Sequence, residues 1–500
     1  MLKQKFLLSS VFEILIYLLS FFSLIVITRN LGPEPIGLIS SSLAIMSLFS
    51  IISNLGLGVA HVKLISQGED ENECVSTFLF LKFLTTFLMA IFFVIAFNLN
   101  LIPGFKPKTL ESNVLLIIFV SSLINSFNDV GNFTLSGRLK IFIGKGILLT
   151  QKLVNSFLKI LVALQKKNVI WLAFVEIITN ILGTFLYILA FKNIKFKTPS
   201  KKLLMKYFSF GIPSLVISIN AILFSNVLDK IIINSFFDAK EVGYYSVALS
   251  SLIFFTLASN NLNNLLLPYF SRLFSENMLQ RVTYISLKLE KFIAIVFIPL
   301  IFFFIFNSYE FVLLLFGENM LKTAIILPFL IINLFIFTLN RPLATKILGK
   351  GNFKFIMWID IIYGLLNIFF LLILIPDKFL GIKLVGLGSV GAAISLSFSN
   401  LIIYAIYKIY TVKHLSDKFQ LPLFGPIFIS FLSFYLINNF TFMITENIVL
   451  IFLINLIIGF SFYIVLCFSL RIITKDELKE LTEIFSLKKI SFSIKKEFDE

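Results

Sequence analysis

FKNIKFKTPSKKLLMK (Phe191–Lys206), running directly into YFSFGIPSLVISINAILFSNVLDKIII (Tyr207–Ile233), divides the chain. The first stretch carries Lys192, Lys195, Lys197, Lys201, Lys202 and Lys206 and no acid. The second is apolar for most of its length but holds Asp229 and Lys230. Long apolar blocks with short gaps lie on both sides. Lysine runs between apolar blocks mark the cytoplasmic segments of membrane proteins, because Lys and Arg resist translocation. Residues 191–206 therefore read as a basic cytoplasmic hinge between two halves, and the helix after it as the first of the second half.

The bulk composition agrees. Hydrophobic residues make up 58% of the 500 and charged residues 14%, with a mean hydropathy of +0.97. A soluble chain carries about 25% charge. The apolar runs are continuous rather than alternating, which argues against a β-barrel. The net charge of +16 fits positively charged cytoplasmic loops, and no basic stretch is interleaved with aromatics on a soluble domain, so nucleic acid is not an expected partner. Cys74 and Cys467 form neither a disulfide framework nor a metal motif. His61 and His414, the two histidines, leave little for zinc or imidazole catalysis. No metal, cofactor or enzymatic activity is expected.

A helix crosses the bilayer in about 20 residues, and the apolar blocks read as about fourteen spans: 7–28, 36–60, 76–98, 113–135, 143–164, 169–190, 207–233, 241–266, 286–306, 324–346, 355–375, 384–407, 423–440 and 448–470. The fold class expected is all-α and polytopic. A six-helix lobe (1–190) and the hinge (191–206) precede a second six-helix lobe (207–412), a further helix pair (413–470) and a cytoplasmic amphipathic tail (471–500). In that tail Thr474 and Glu477 have capping-box spacing. The fifth span is the least hydrophobic, and losing it would invert the topology after it. Lys and Arg crowd the loops that are inside when the N-terminus is cytoplasmic, on both sides of that span, so N-in and C-in is the arrangement expected.

A shift of 206 residues aligns ITRNLGPEPIGL (Ile27–Leu38) with INSFFDAKEVGY (Ile233–Tyr244), superposing Ile36-Gly37 on Val242-Gly243. Six helices per repeat is an even number, so both halves take the same orientation, with a cleft between them. That is a transporter's architecture, and it works as a monomer.

These residues, with NLGLGVAHVK after the first loop, resemble the polysaccharide flippase (Wzx-type) family of the multidrug/oligosaccharidyl-lipid/polysaccharide exporter superfamily. LLMKYFSFGIPSLVISI, Asp229, VGYYSVAL, LLPYFSRLF (Leu266–Phe274), FGEN (Phe316–Asn319), LGKGNFK (Leu348–Lys354), NIFFLLILIP (Asn367–Pro376) and GSVGAAIS (Gly388–Ser395) extend the resemblance to about residue 410. It implies twelve core helices, often with two more. It also implies translocation of a lipid-linked oligosaccharide across the cytoplasmic membrane, with the last two helices forming a groove for a polyprenyl tail.

Ionisable groups within the hydrocarbon cost about 2.5–3.5 kcal/mol even on lenient scales, so they are the candidate site residues: Glu13, Lys82, Asp129, Lys152, Lys159, Glu176, Asp229, Lys230, Arg341, Lys346 and Asp360. A phosphate or pyrophosphate leaving the interface needs cations, and Arg can hold it with paired hydrogen bonds. Arg341, Lys152 and Lys159 are the expected phosphate ligands. Lys152 and Lys159 are seven apart and share a helix face, where Gln151 and Asn155 can meet sugar hydroxyls. The plainer reading has both lysines snorkelling or packing within their lobe, and Arg341 reaching cytoplasmic water beside Pro342. Asp229 is either a cavity acid or gate partner, or a structural ion pair. Glu13, Asp129, Glu176 and Asp360 either couple transport to a proton or sodium gradient or neutralise nearby lysines. Arg29 serves an outer gate or the turn at Gly32-Pro33.

An ion-coupled drug or metabolite antiporter of the same superfamily is the first alternative, but a cationic drug calls for acids where the midchain candidates lean basic. A membrane polysaccharide polymerase or ligase calls for a sizeable outside loop with clustered catalytic residues, and the outside gaps are short. A scaffold of a glycan-assembly complex is the last. The expected partners are the lipid-linked oligosaccharide, membrane lipid and other glycan-assembly proteins.

Overall fold

The computed structural model describes residues 2–105, 108–191, 194–223, 226–415 and 424–472. Lys192 and the expected tail helix at Thr474 lie outside these residues. Among the described residues the structure is helical, apart from the connecting turns, the extended segment 194–200 and a hairpin pairing Lys378–Phe379 with Ile382–Lys383.

The first half holds α1 (Leu2–Leu31), α2 (Pro33–Asn54), α3 (Leu57–Ser66), α4 (Glu71–Asn98), α5 (Leu110–Gly137), α6 (Ile141–Leu164) and α7 (Val169–Ala190). The second holds α8 (Lys201–Leu223), α9 (Val227–Phe236), α10 (Ala239–Ser251), α11 (Ile253–Ser275), α12 (Leu279–Phe316), α13 (Lys322–Gly349), α14 (Phe353–Leu374) and α15 (Gly388–His414). Beyond it come α16 (Phe424–Ile444), α17 (Ile448–Ile454) and α18 (Phe460–Ser469), the last two joined by a π turn at Asn455–Gly459. Among the described residues twelve helices are long and apolar enough to cross a membrane, or thirteen if the bent α10–α11 pair is one span. Phe83, Phe157, Leu365 and Phe428 stand exposed on the outer surface, as lipid-facing residues do in a multi-pass membrane protein.

Local chemistry sets the helix ends. Pro33 opens α2 after Gly32. Asp70 and Asp238 start α4 and α10, accepting the amides of Glu73 (2.8 Å) and Glu241 (3.0 Å). Thr109 and Ser112 form a reciprocal capping box on α5.

Four expected spans differ in detail. The second breaks into α2 and α3, because Leu55 and Gly56 adopt left-handed backbone. The seventh comprises α8 and α9, and the eighth is α10 and α11, bent by 53° at Leu252. The ninth belongs to α12, 38 residues long. The doubtful fifth is α6, an unbroken helix of 24 residues, about 36 Å at 1.5 Å per residue and enough to cross.

The two repeats meet where they align. α2 crosses α10 so closely that a β-carbon on Gly37 would lie 1.6 Å from the Ala239 carbonyl oxygen. One on Gly243 would lie 2.1 Å from the Pro33 carbonyl oxygen. Pro33 and Ala239 are also repeat equivalents, so the contact is reciprocal, as at a two-fold axis, and only glycine permits the approach.

The linker end is marked by ion pairs of Lys206 with Glu69, Lys197 with Asp70 (3.0 Å) and Arg138 with Glu71. The far end is marked by Arg29, whose Nε donates to the Leu315 carbonyl (2.9 Å) and whose Nη2 donates to that of Leu314. A cation thus sits on the negative end of α12. One large apolar core runs through both halves, including Ile39, Phe93, Ile118, Tyr245, Phe297 and Ile331. A smaller one joins α3, α4 and α5 to Leu203 and Tyr207 of α8.

Candidate substrate cavity

α6 carries its polar residues on one face, at Gln151, Lys152, Asn155 and Lys159. α7 answers with Glu176, Thr179 and Asn180, three and four residues apart. Between these faces and α1 lie two adjoining cavities. One, of about 360 Å³, is bounded by α1, α2 and α6 and is closed from the second half by Ser250 and Ile253 at the α10–α11 bend. The other, of about 370 Å³, is lined by Glu13, Asn125, Lys145, Gln151, Thr179 and Asn180 among others. Tyr17, Lys152 and Asn155 line both.

Most of the charges there are engaged. Lys159 Nζ lies 2.5 Å from Glu176 Oε1, and Lys145 Nζ lies 2.5 Å from Glu13 Oε1. Asn155 donates to Glu176 Oε2 and to Thr179 Oγ1, both at 3.3 Å. Gln151 donates to the Thr179 carbonyl at 3.2 Å. Lys152 makes no hydrogen bond or ion pair with any described residue, so a single unpaired ammonium sits at the junction of the two cavities. Three lysines (145, 152, 159) face two glutamates (13, 176), leaving the cluster one positive charge in excess.

The other expected residues sit elsewhere. Asp129 pairs with Lys82 at 3.0 Å, and Lys82 also donates to Asn54 Oδ1 (2.5 Å). Arg341, on α13, is not among the described residues lining either cavity. Its Nη2 donates to Asn260 Oδ1 at 3.1 Å, and its guanidinium lies 3.9 Å from the Phe337 ring centroid. Its Nε is buried without a partner among the described residues, and Asp360 is within electrostatic reach. Asp229, on α9, is fully buried. Tyr245 donates to its Oδ2 (2.5 Å), Asn367 to its Oδ1 (3.3 Å), and Ser395 supports Asn367 at 2.9 Å.

Sequence reasoning passed over Tyr17, Thr179 and Asn180, although Thr179 and Asn180 are signalled by their spacing from Glu176. It also passed over Tyr245, Asn367 and Ser395, which belong to separate helices and carry no mutual spacing. The buried pair of Lys408 and Glu290 (2.9 Å) was hidden for the same reason.

The fold has solved relatives. The structure titled "Lipid II flippase MurJ, inward closed conformation" is 18% identical over 93% of this chain and 99% of its own, with a TM-score of 0.72. An inward-facing multidrug resistance MATE family transporter of the MOP superfamily is 16% identical over 80% of this chain and 94% of its own, with a TM-score of 0.64. A MOP-superfamily transporter from Pyrococcus furiosus follows at 15% identity over 83% and 94%, with a TM-score of 0.52. No curated protein matches by sequence. The sequence pattern described as "Polysaccharide biosynthesis protein" matches residues 26–325, three-fifths of the chain. With a fold like that of these MOP-superfamily structures and a family match over residues 26–325, this chain belongs to the polysaccharide biosynthesis protein family.

Proposed function

We propose that the protein flips a lipid-linked oligosaccharide, carried on polyprenyl phosphate or pyrophosphate, across the cytoplasmic membrane by alternating access, for polysaccharide or surface-glycan assembly. The observation that carries this reading is Lys152. An ammonium with no hydrogen bond or ion pair to a described residue, in a membrane-embedded cavity whose nearby Glu176 is already paired with Lys159, is costly unless a further counter-charge arrives, and an anionic phosphate supplies one. Gln151, Asn155 and Asn180 offer amides to sugar hydroxyls beside it. The family match and the likeness to a structure titled as a lipid II flippase support the same reading.

In this reading the paired Lys159 and Glu176 are an adjustable neighbour, releasing cationic charge when the headgroup enters. Arg341 contributes from the second lobe when the halves rock about the 191–206 segment, and Arg29 holds the far end. Asp229, set among a hydroxyl and an amide, is assigned to coupling with a proton or sodium gradient, with Glu13, Asp129, Glu176 and Asp360 as further candidates. The working unit is a monomer with both termini cytoplasmic, acting beside other glycan-assembly proteins.

The test is reconstitution in liposomes with a fluorescent polyprenyl-linked sugar, following its transfer between leaflets. Lys152→Gln lowers the rate at least about tenfold, the loss of one charge-assisted contact of about 1.5–3 kcal/mol, while insertion stays intact. Arg341→Ala is the companion variant. Wild-type rates in both remove the cationic-cavity mechanism. Proton- or sodium-linked efflux of a small solute, with no lipid transfer, moves the assignment to the antiporters.

A further inference from the structure

The lipid-facing side of α6 and α7 carries a second, separate feature. The turn between the helices places Lys166 and Lys167 at the far end, away from the lysine-rich linker. Asn168 precedes α7 but its side chain caps none of the first-turn amides, so the positive end of that 22-residue helix follows directly on the two lysines in the turn. No acid occurs from Leu158 to Val175. Directly beneath lies a groove of about 440 Å³, with Leu158, Leu161 and Val162 on one wall and Trp171, Phe174 and Ile178 on the other. Gln165 and Lys167 stand at its mouth. Trp171 and Ile178 are 52% and 50% exposed, so the groove opens to the hydrocarbon. Lys167 Nζ is 5.0 Å from the Trp171 ring centroid, a basic–aromatic pair of the kind that sits at membrane interfaces.

An occupant must be apolar along the groove and anionic at its mouth. We propose that this groove is a binding site for an anionic bilayer phospholipid, with one acyl chain between α6 and α7 and the headgroup against Lys166, Lys167 and the α7 N-terminus. A zwitterionic lipid fills the groove equally well but brings its own cation to the cationic mouth. The occupant braces α6 on a face adjoining the one that presents Lys152 and Lys159. The inference does not depend on what the cavity transports.

The experiment is native mass spectrometry of the purified full chain, delipidated and then offered phosphatidylglycerol or phosphatidylcholine with identical acyl chains. Wild type retains phosphatidylglycerol at least about fivefold better. K166Q/K167Q lowers phosphatidylglycerol to the phosphatidylcholine level and leaves phosphatidylcholine unchanged. V162W, which fills the groove, lowers both. K240Q, a lysine at the same end on α10, leaves the preference intact. Circular dichroism and the thermal midpoint in detergent confirm that each variant is folded. Equal retention of the two lipids by wild type overturns the site, whatever the variants do. So does a preference that survives K166Q/K167Q, or one that K240Q reduces equally.

Discussion

α1 and α8 open the two repeats and hold matching places in the sequence, yet they dock differently. α1 lies along α6 within its own half and is tied there by the ion pair of Glu13 and Lys145. α8 only brushes α14 and instead packs on α3 of the other half. Tyr207 donates to the Cys74 carbonyl at 3.0 Å and bonds His61 Nδ1 at 2.6 Å, while His61 Nε2 bonds Thr134 Oγ1 at 2.8 Å. Gly56 and Gly211 permit the close approach, since a β-carbon on Gly56 would lie 2.2 Å from the Gly211 carbonyl oxygen. Lys63 lies 3.6 Å from the Phe210 ring centroid.

The cause lies in what precedes each helix. The loop QGEDENE (Gln67–Glu73) offers Glu69 and Asp70 to Lys206 and Lys197, and Asn72 Oδ1 accepts the Lys195 amide at 3.0 Å. A basic linker laid across an acidic loop carries α8 onto the first half. Repeat-related helices therefore share a pattern without sharing a dock.

The hardest blow to this asymmetry is Gly56→Ala. The residue has φ +71° and no room for a β-carbon, so strain and overpacking together cost about 3 kcal/mol. Hydrogen exchange across residues 201–215 should rise sharply while that of α1 stays put. Unchanged protection of α8 breaks the account of its docking.

Tyr207→Phe comes next. It strips partners from the buried His61 ring and the Cys74 carbonyl, at a cost of about 1–3 kcal/mol, read in the thermal midpoint. A neutral outcome would mean that apolar packing alone seats α8.

Glu13→Gln probes the other side of the comparison. The pair is partly exposed, 41% for Glu13 and 29% for Lys145, so its loss should cost less than about 1 kcal/mol, with α1 still protected by its packing on α6. A larger loss, with α1 exchanging freely, would make the two helices alike in resting on charge.

The smallest effect is that of pH on the linker. The Glu73 amide and Lys197 hold the Asp70 carboxyl below the usual carboxylate range. A folded pKa below the unfolded one contributes stability above the ordinary value, about 3.9, which is lost as pH falls through the lowered folded value. Exchange of residues 194–200 should quicken in that window and also with added salt, which screens exposed pairs. A linker indifferent to both is not held by charge.

Much of this was readable in advance, because it rests on neighbours in sequence. Apolar run length specified the spans, and a 206-residue shift found Gly37 and Gly243, which then proved to touch. Seven-residue spacing put Lys152 and Lys159 on one face, and both line the first cavity. What stayed illegible was partner choice. Glu176 took Lys159, Glu13 took Lys145 and Asp129 took Lys82, although each lysine was a formally equal candidate. Arg341 settled on Asn260 rather than beside the α6 lysines.

The sequence by itself thus determined the membrane class, the repeat and the polar face of α6, since periodicity is a property of one helix and its own residues. The tertiary structure alone decided that Lys152 has no ion pair among the described residues while Lys145 and Lys159 do, and which half received α8. Those outcomes depend on distances between helices far apart in the chain, and a charge pair falls off too steeply with distance for composition to select among several candidates.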